Sequence, residues 1–359
     1  MIQNKAHLLS RITAVLLALL LLVGVLAACK KGSETPLSEG LVMIEGTPVF
    51  DDGVAMKTEH FTVSPGMMAY FFYTYGNTVL AEIEKKVPFT KGVPLHEQKY
   101  SETQSFYDVI MSETLSRVCY MLIVCEAALA ESVILTPEQQ RGVEDALTAL
   151  RMTAAVNYNM EPKAYLQALY GPQMTETDMQ AVLELEALAN SFSMTVSDRL
   201  EAAITAEQAR EYAEENGLSD QTPSRSIAYL FIPFENGGAA TKKVESAYAA
   251  LKSAPVAATL QAQDVGTYGT EENITPENGG IQNITEWLFD AQRRIGDYAR
   301  LDTAGATYLV LYTENGASFA EVEARRALFD SAFAAWYNEW VEKLTFGYNY
   351  DCLDSYDVS

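Results

Sequence analysis

Histidine is nearly missing from this chain. Its three copies are His7, His60 and His96, so nothing between residues 97 and 359 carries an imidazole. A histidine-based nucleophilic triad is therefore excluded from most of the protein. A Gly-x-Ser-x-Gly elbow and a His-Glu-x-x-His pair are missing as well. Cysteine is sparse too: Cys29, Cys119, Cys125 and Cys352, with no Cys-x-x-Cys. Cys119 and Cys125 lie six residues apart on a helical stretch, about 9 Å along its axis, too far for a disulfide. Two buried free thiols and a third in the tail are expected, with no metal site and no cofactor. Basic residues are outnumbered, 25 against 48 acidic, for a net charge of −23. Nucleic acid needs a Lys/Arg footprint and is not an expected partner.

What is present begins with an address. Lys5 and Arg11 precede "ITAVLLALLLLVGVLA", an apolar run of sixteen residues, and "LAAC" follows at Leu26–Cys29. Spanning a bilayer takes about 20 such residues, so this is the pattern of a secretory signal, residues 1–28. "LAAC" is similar to a bacterial lipobox, which implies cleavage before Cys29 and acylation of its sulfur. The bilayer is then a partner through that lipid, on the outer face of the cytoplasmic membrane. Lys5 and Arg11 are the only charges in 1–28; without them 23 basic residues face 48 acidic ones, a net of −25.

A polar Gly/Ser/Pro-rich stretch, "KKGSETPLSEG", reads as the start of a flexible tether over residues 29–55. "MKTEHFTVS" suggests a short strand. Ser64 and Pro65 then form the favoured N-cap and N1 pair, and Met68, Phe72, Tyr75, Val79 and Ile83 recur at helical spacing. Capping-box patterns at Ser101–Gln104, Thr136–Gln139 and Thr205–Gln208 open further helices. The spacing predicts an essentially helical region up to residue 217, closed by Gly217. Beyond Pro223 the pattern changes. "SRSIAYLFIPF" and "ATYLVLYTE" are strand-like, "TKKVESAYAALKS" is an amphipathic helix, "QDVGTYG" a glycine-punctuated loop, and "ITEWLFDAQRRIGD" a short helix ended by Gly296. That succession predicts a compact α+β domain over 223–316. "SFAE" at Ser318–Glu321 opens a last helix, 317–345. Its stripe of Val322, Phe329, Phe333, Trp336, Trp340 and Leu344 demands a partner surface. The helical domain, 56–222, is the expected partner, which makes it discontinuous; residues 346–359 are expected to be a tail.

This arrangement resembles the PrsA/SurA-type foldases, in which a parvulin-type peptidyl-prolyl isomerase domain sits on a helical chaperone module. The resemblance covers most of residues 56–345. It is carried by "YLQALYGPQMTETDM" and "ITAEQAREYAEENG" in the helical part, and by "QDVGTYG" and "WLFDAQRRIGD" in the second domain. It implies an α+β protein: a SurA-N-like helical domain completed by a C-terminal helix, with an inserted parvulin-like domain. The family places one histidine on its first strand and another on its last. Here the first position falls on Tyr229, or on Ser226 if the register follows Arg225, and the second on Tyr308.

Rotation about a prolyl bond crosses a barrier of about 20 kcal/mol with no bond broken. An apolar pocket can therefore assist it without an imidazole. The candidate pocket is Tyr229, Phe231, Trp287, Phe289 and Tyr308, with no assigned catalytic residue; the same residues also suit ordinary strand and core packing. Met67, Met68, Phe71 and Phe72 are candidates to meet clients, and equally candidates for core. The expectation is a lipid-anchored foldase or chaperone for unfolded exported polypeptides, with isomerase activity weak or absent. An active isomerase with a tyrosine-lined pocket and a solute-binding lipoprotein are the alternatives. The acidic pairs Asp51-Asp52 and Glu271-Glu272 are consistent with a solvated surface.

Overall fold

The structure, a computed structural model, describes residues 44, 46–85, 87–234, 241–303 and 305–356. Cys29 and the signal-like segment lie outside the described residues. The chain divides into two compact units: 1–199 with 333–359, and 200–332. The architecture is α+β, a helical unit completed by the C-terminal helix, with an α+β unit inserted.

The helical unit begins with β1 (Gly46–Pro48), β2 (Met56–Lys57) and β3 (Thr62–Val63). Met56–Ser64 is thus a hairpin, not one strand, because Thr58 N–H bonds Phe61 O at 2.9 Å and turns the chain. Five helices follow: α1 (Pro65–Ile83), α2 (Phe106–Ala130), α3 (Pro137–Asn157), α4 (Pro162–Tyr170) and α5 (Glu176–Ala203). Ser64 Oγ accepts from Met67 N–H at 3.1 Å and caps α1, with Pro65 at N1. The same hydroxyl donates to Asp178 Oδ1 at 2.5 Å, tying the start of α1 to α5. The capping box of α2 is Ser105 with Asp108 rather than Ser101 with Gln104. Ser101 Oγ instead accepts from Gln104 N–H at 3.1 Å and closes a turn ahead of the helix. Thr136/Gln139 caps α3 as its sequence predicts. Helix α2 is apolar nearly all round, with Phe106, Ile110, Val118, Leu122 and Cys125 buried, as befits the central helix of a bundle.

The inserted unit contains α6 (Ala206–Glu215), β4 (Pro223–Pro233), α7 (Thr241–Ser253), α8 (Ala257–Gln261), β5 (Thr267–Ile274), α9 (Gln282–Leu288), β6 (Tyr298–Asp302) and β7 (Ala306–Ser318). Its antiparallel sheet has the order β5-β4-β7-β6. Two of these strands depart from the sequence reading. Only the start of "QDVGTYG" is loop: Gly266, at φ +82, makes the turn and β5 begins at Thr267. "YARLD" forms β6, which sequence pattern did not reveal. Helix α9 ends at Leu288, and Gly296 belongs to a later turn, where its N–H bonds Tyr312 O at 2.8 Å. The unit starts ahead of Pro223 because Ala209 and Ala213 of α6 pack on Ala320 and Ala324 of α10 (Phe319–Lys343).

The rest of the apolar stripe on α10, Val322 to Leu344, is half-buried rather than fully covered. Its C-terminal part belongs to the helical unit, where Phe333 and Tyr337 set their rings 6.4 Å and 6.0 Å from that of Tyr120. Residues 346–356 are not a loose tail. Strand β8 (Phe346–Tyr348) pairs with both β1 and β2, in the order β1-β8-β2-β3. Helix α11 (Tyr350–Leu353) follows, and Tyr356 OH bonds Pro65 O at 2.9 Å. Phe346 and Tyr348 are fully buried, so the chain end supplies core.

Candidate functional site

Side chains alternate across a strand, and β4 therefore supplies both faces of its sheet. Ala228, Leu230 and Ile232 join Leu309 and Leu311 of β7 in a fully apolar layer under α7 and α8. Ile227 and Tyr229 face the other way with Val310 and Tyr312, toward α9. That second face closes only in part. Ile227, Val310 and Tyr312 are buried, whereas Tyr229, Phe231 and Tyr308 are half-buried.

Register explains the grouping. Phe231 pairs with Tyr308 across the sheet, and Tyr229 pairs with Val310, one pleat along. The Tyr308 ring lies 5.2 Å from Phe231 and 6.2 Å from Tyr229, tilted in both cases. Leu301 of β6 stands opposite Tyr308 and packs on the same cluster. On the far side, Gly269 of β5 stands opposite Tyr229. A Cβ at Gly269 would lie 2.5 Å from Tyr229 Cζ, so the phenol lies across that glycine. Tyr229, Phe231 and Tyr308 form one aromatic platform.

Trp287 and Phe289 pack on the same face but do not complete a single ring of aromatics. Phe289 sits at the opposite end, under the Arg225 guanidinium at 5.0 Å and beside Phe319 at 5.7 Å. Arg225 precedes Tyr229 by four residues, about 13 Å of strand. The Trp287 indole lies 5.1 Å from the Arg293 guanidinium. Of the five residues proposed as a pocket, the structure groups three and uses Phe289 as a packing and cation–π anchor.

The platform's two phenols stay protonated at neutral pH. Burial, reinforced by the Glu271 carboxyl, raises the Tyr229 phenol, and burial with Tyr229 beside it raises Tyr308. Burial also raises Glu271, which stands opposite Ile227 on β5. Sequence reasoning missed Glu271 and Leu301 as members of this face. The signal was available in the alternation of Thr267, Gly269 and Glu271 and of Ala299 and Leu301, once each stretch is taken as a strand.

The residues proposed to meet clients in the helical unit occupy a different place. Met68, Phe71 and Phe72 are 0% exposed and Met67 3%. Phe72 packs between Tyr107 and Tyr356, each ring 5.7 Å away. These four side chains are core, because the first turns of α1, Gly66–Phe72, are buried all round. Ser226, the other register for a family histidine, is buried too. Cys119 and Cys125 are buried free thiols, and burial lifts them to about 11 and about 12. Among the described residues no three His, Cys, Asp or Glu side chains converge.

No protein-family model matches this chain, and no curated protein does. Among solved structures it is similar to PrsA from Bacillus subtilis, at 14% identity over 67% of this chain and 83% of that one, with a TM-score of 0.30. A SurA-like chaperone structure from Campylobacter jejuni matches at 8% identity over 82% and 98%, TM-score 0.26. The foldase protein PrsA from Streptococcus pneumoniae matches at 16% over 64% and 79%, TM-score 0.25. Superpositions this loose assign no activity, and the functional reading rests on the chain's own residues.

Proposed function

We propose that this protein is a chaperone-like lipoprotein, held by acylated Cys29 on the outer face of the cytoplasmic membrane, that binds unfolded exported polypeptides. Its prolyl cis–trans isomerase activity is weak or absent. The observation that carries the reading is the half-buried platform of Tyr229, Phe231 and Tyr308 in a unit that contains no histidine. Three aromatic rings on one sheet face offer flat apolar area with neutral hydroxyls at the edge, the composition that favours apolar and prolyl side chains of varied sequence. The order of the PrsA/SurA-like stretches along the chain supports the same reading. So does the split of labour between a helical body and an inserted unit over 200–332. The lipobox supports the location.

The protonated state of Tyr229 and Tyr308 bears on activity. Neither phenol supplies a charge to a rotating amide at neutral pH, so the platform holds a chain rather than driving its isomerisation. Two assays test this. Stoichiometric protein should suppress aggregation of a chemically denatured client, and Tyr229→Ala with Tyr308→Ala should weaken that suppression several-fold. A protease-coupled assay on an Xaa-Pro peptide should give rates close to the uncatalysed reaction. Fast turnover abolished by either tyrosine substitution would instead establish an active isomerase with a tyrosine-lined pocket. Absence of suppression at any ratio would remove the chaperone reading.

A further inference from the structure

The helical unit carries a concavity of its own. Helix α2 ends at Ala130, and Ser132, at φ +59, turns the chain sharply, with Val133 N–H bonding Ala128 O at 2.8 Å. Thr136 then caps α3. The intervening Val133, Ile134 and Leu135 are three consecutive apolar residues between two helix ends, with no helix stripe to belong to. Ile134 is left 72% exposed and Leu129, at the end of α2, 38%. Together with Phe61 and Leu188 they line a groove of about 460 Å³. That volume lies in the range of pockets that bury a ligand.

The rim of this groove carries one sign of charge. Glu144 of α3 and Glu184 of α5 line it, and no Lys, Arg or His does. Glu184 accepts from the neutral amide of Gln180 at 2.8 Å. Neither glutamate has an ion-pair partner among the described residues. An apolar floor beneath uncompensated carboxylates repels acidic segments and attracts cationic ones. The excess of acid over the whole chain acts in the same direction at longer range.

We propose that this groove docks short segments of unfolded polypeptide in which apolar side chains are flanked by Lys or Arg. The proposal rests on the chaperone reading and gives it a preferred client chemistry, separate from the platform on the inserted unit. The apolar side chains cover Phe61, Leu129, Ile134 and Leu188, while the flanking cations meet Glu144 and Glu184.

Two fluorescein-labelled synthetic peptides test it, one with an apolar core flanked by lysines and one with the same core flanked by glutamates. Fluorescence anisotropy with the full chain should show the lysine peptide binding about tenfold or more tightly at low salt. That preference should shrink at about 0.5 M salt, where screening shortens to a few ångströms. Glu144→Lys with Glu184→Lys should abolish the preference, and Ile134→Asp should weaken the lysine peptide about tenfold. Glu144 and Ile134 are exposed and Glu184 is half-buried, and an unchanged melting temperature confirms folding. Undetectable binding of the lysine peptide, equal affinities for the two peptides, or affinities unmoved in both variants would each overturn the groove. Aggregation suppression measured alongside separates the two readings. Suppression that survives with an inert groove leaves the chaperone and removes this inference. Variant-sensitive peptide binding without suppression keeps the groove and removes the chaperone.

Discussion

Replacing Glu186 with glutamine takes one titration out of the centre of the helical unit. Glu186 of α5 is 7% exposed; Tyr70 OH donates to its Oε1 at 3.4 Å, and its Oε2 has no hydrogen-bond partner among the described residues. The phenols nearby, Tyr70, Tyr75 and Tyr170, are themselves lifted by burial and the carboxylate. Burial, only partly offset by the Tyr70 bond, lifts Glu186 from its ordinary 4.5 to about 8. One pKa unit is worth about 1.4 kcal/mol, so the folded state loses on the order of 5 kcal/mol across the window. The direction follows from proton uptake. Below 4.5 both folded and unfolded chains hold the proton and Glu186 contributes no pH dependence. Between 4.5 and 8 the unfolded chain has released it while the folded chain retains it, so stability falls as pH rises. Above 8 both are ionised and the full cost is present. The amide of the Glu186→Gln variant has no such proton to release. Urea unfolding followed by circular dichroism of the helices, at about pH 5, 6.5 and 8.5, should give a stability difference between variant and parent that grows steadily with pH. A difference constant to within about 0.5 kcal/mol over that range would refute the burial argument.

Three further outcomes are expected. Phe72→Ala should cost about 3–5 kcal/mol in urea unfolding, since the ring is fully buried between Tyr107 and Tyr356; a loss below about 1 kcal/mol would place it nearer a surface. The His60 imidazole is bonded to Glu126 at 2.7 Å, and this partner raises it above 6.5. Its stabilisation is complete below 6.5 and is lost as pH rises through the raised value, so in a Glu186→Gln background His60→Ala should flatten the remaining slope above 6.5. Gly269→Ala should displace the Tyr229 ring, which would otherwise stand 2.5 Å from the new Cβ. Client binding should then fall as in Tyr229→Ala, with the melting temperature of the helical unit unmoved.

Sequence disclosed most where one local rule decided the outcome. Ser64-Pro65 and Thr136/Gln139 are complete instructions for a helix start, and both hold. The alternation in "SIAYLFI" is a strand with two apolar faces, and β4 is that strand. Local rules failed where tertiary pairing decided. Ser101–Gln104 has the spacing of a capping box, but Ser105 and Asp108 bond reciprocally and begin α2 four residues later. "YARLD" has too few apolar residues to announce a strand, and pairing with β7 makes it one. "TFGYNY" reads as a tail because six residues show no period; its Phe346 and Tyr348 gain their place only from β1 and β2, about 300 residues earlier in the chain. At the candidate site, the strand aromatics were legible and their neighbours Gly269 and Glu271 were not, since β5 carries a glycine-rich start.

Tyrosine at two positions of this sheet face has a different consequence from histidine there. A histidine at Tyr229 or Tyr308 would bring a titrating nitrogen into a face whose other occupants are Ile227, Val310, Leu301 and Phe231. Burial disfavours its charged form, and a neutral imidazole is smaller and more polar than a phenol. Tyrosine fills the same direction with more apolar area and holds its proton throughout the physiological range. A face built this way gains contact area for a passing chain and gives up any group whose charge follows the twisting amide. Catalysis requires stronger interaction with the twisted state than with the planar one. A neutral platform interacts with both nearly alike, which suits the holding role proposed for it.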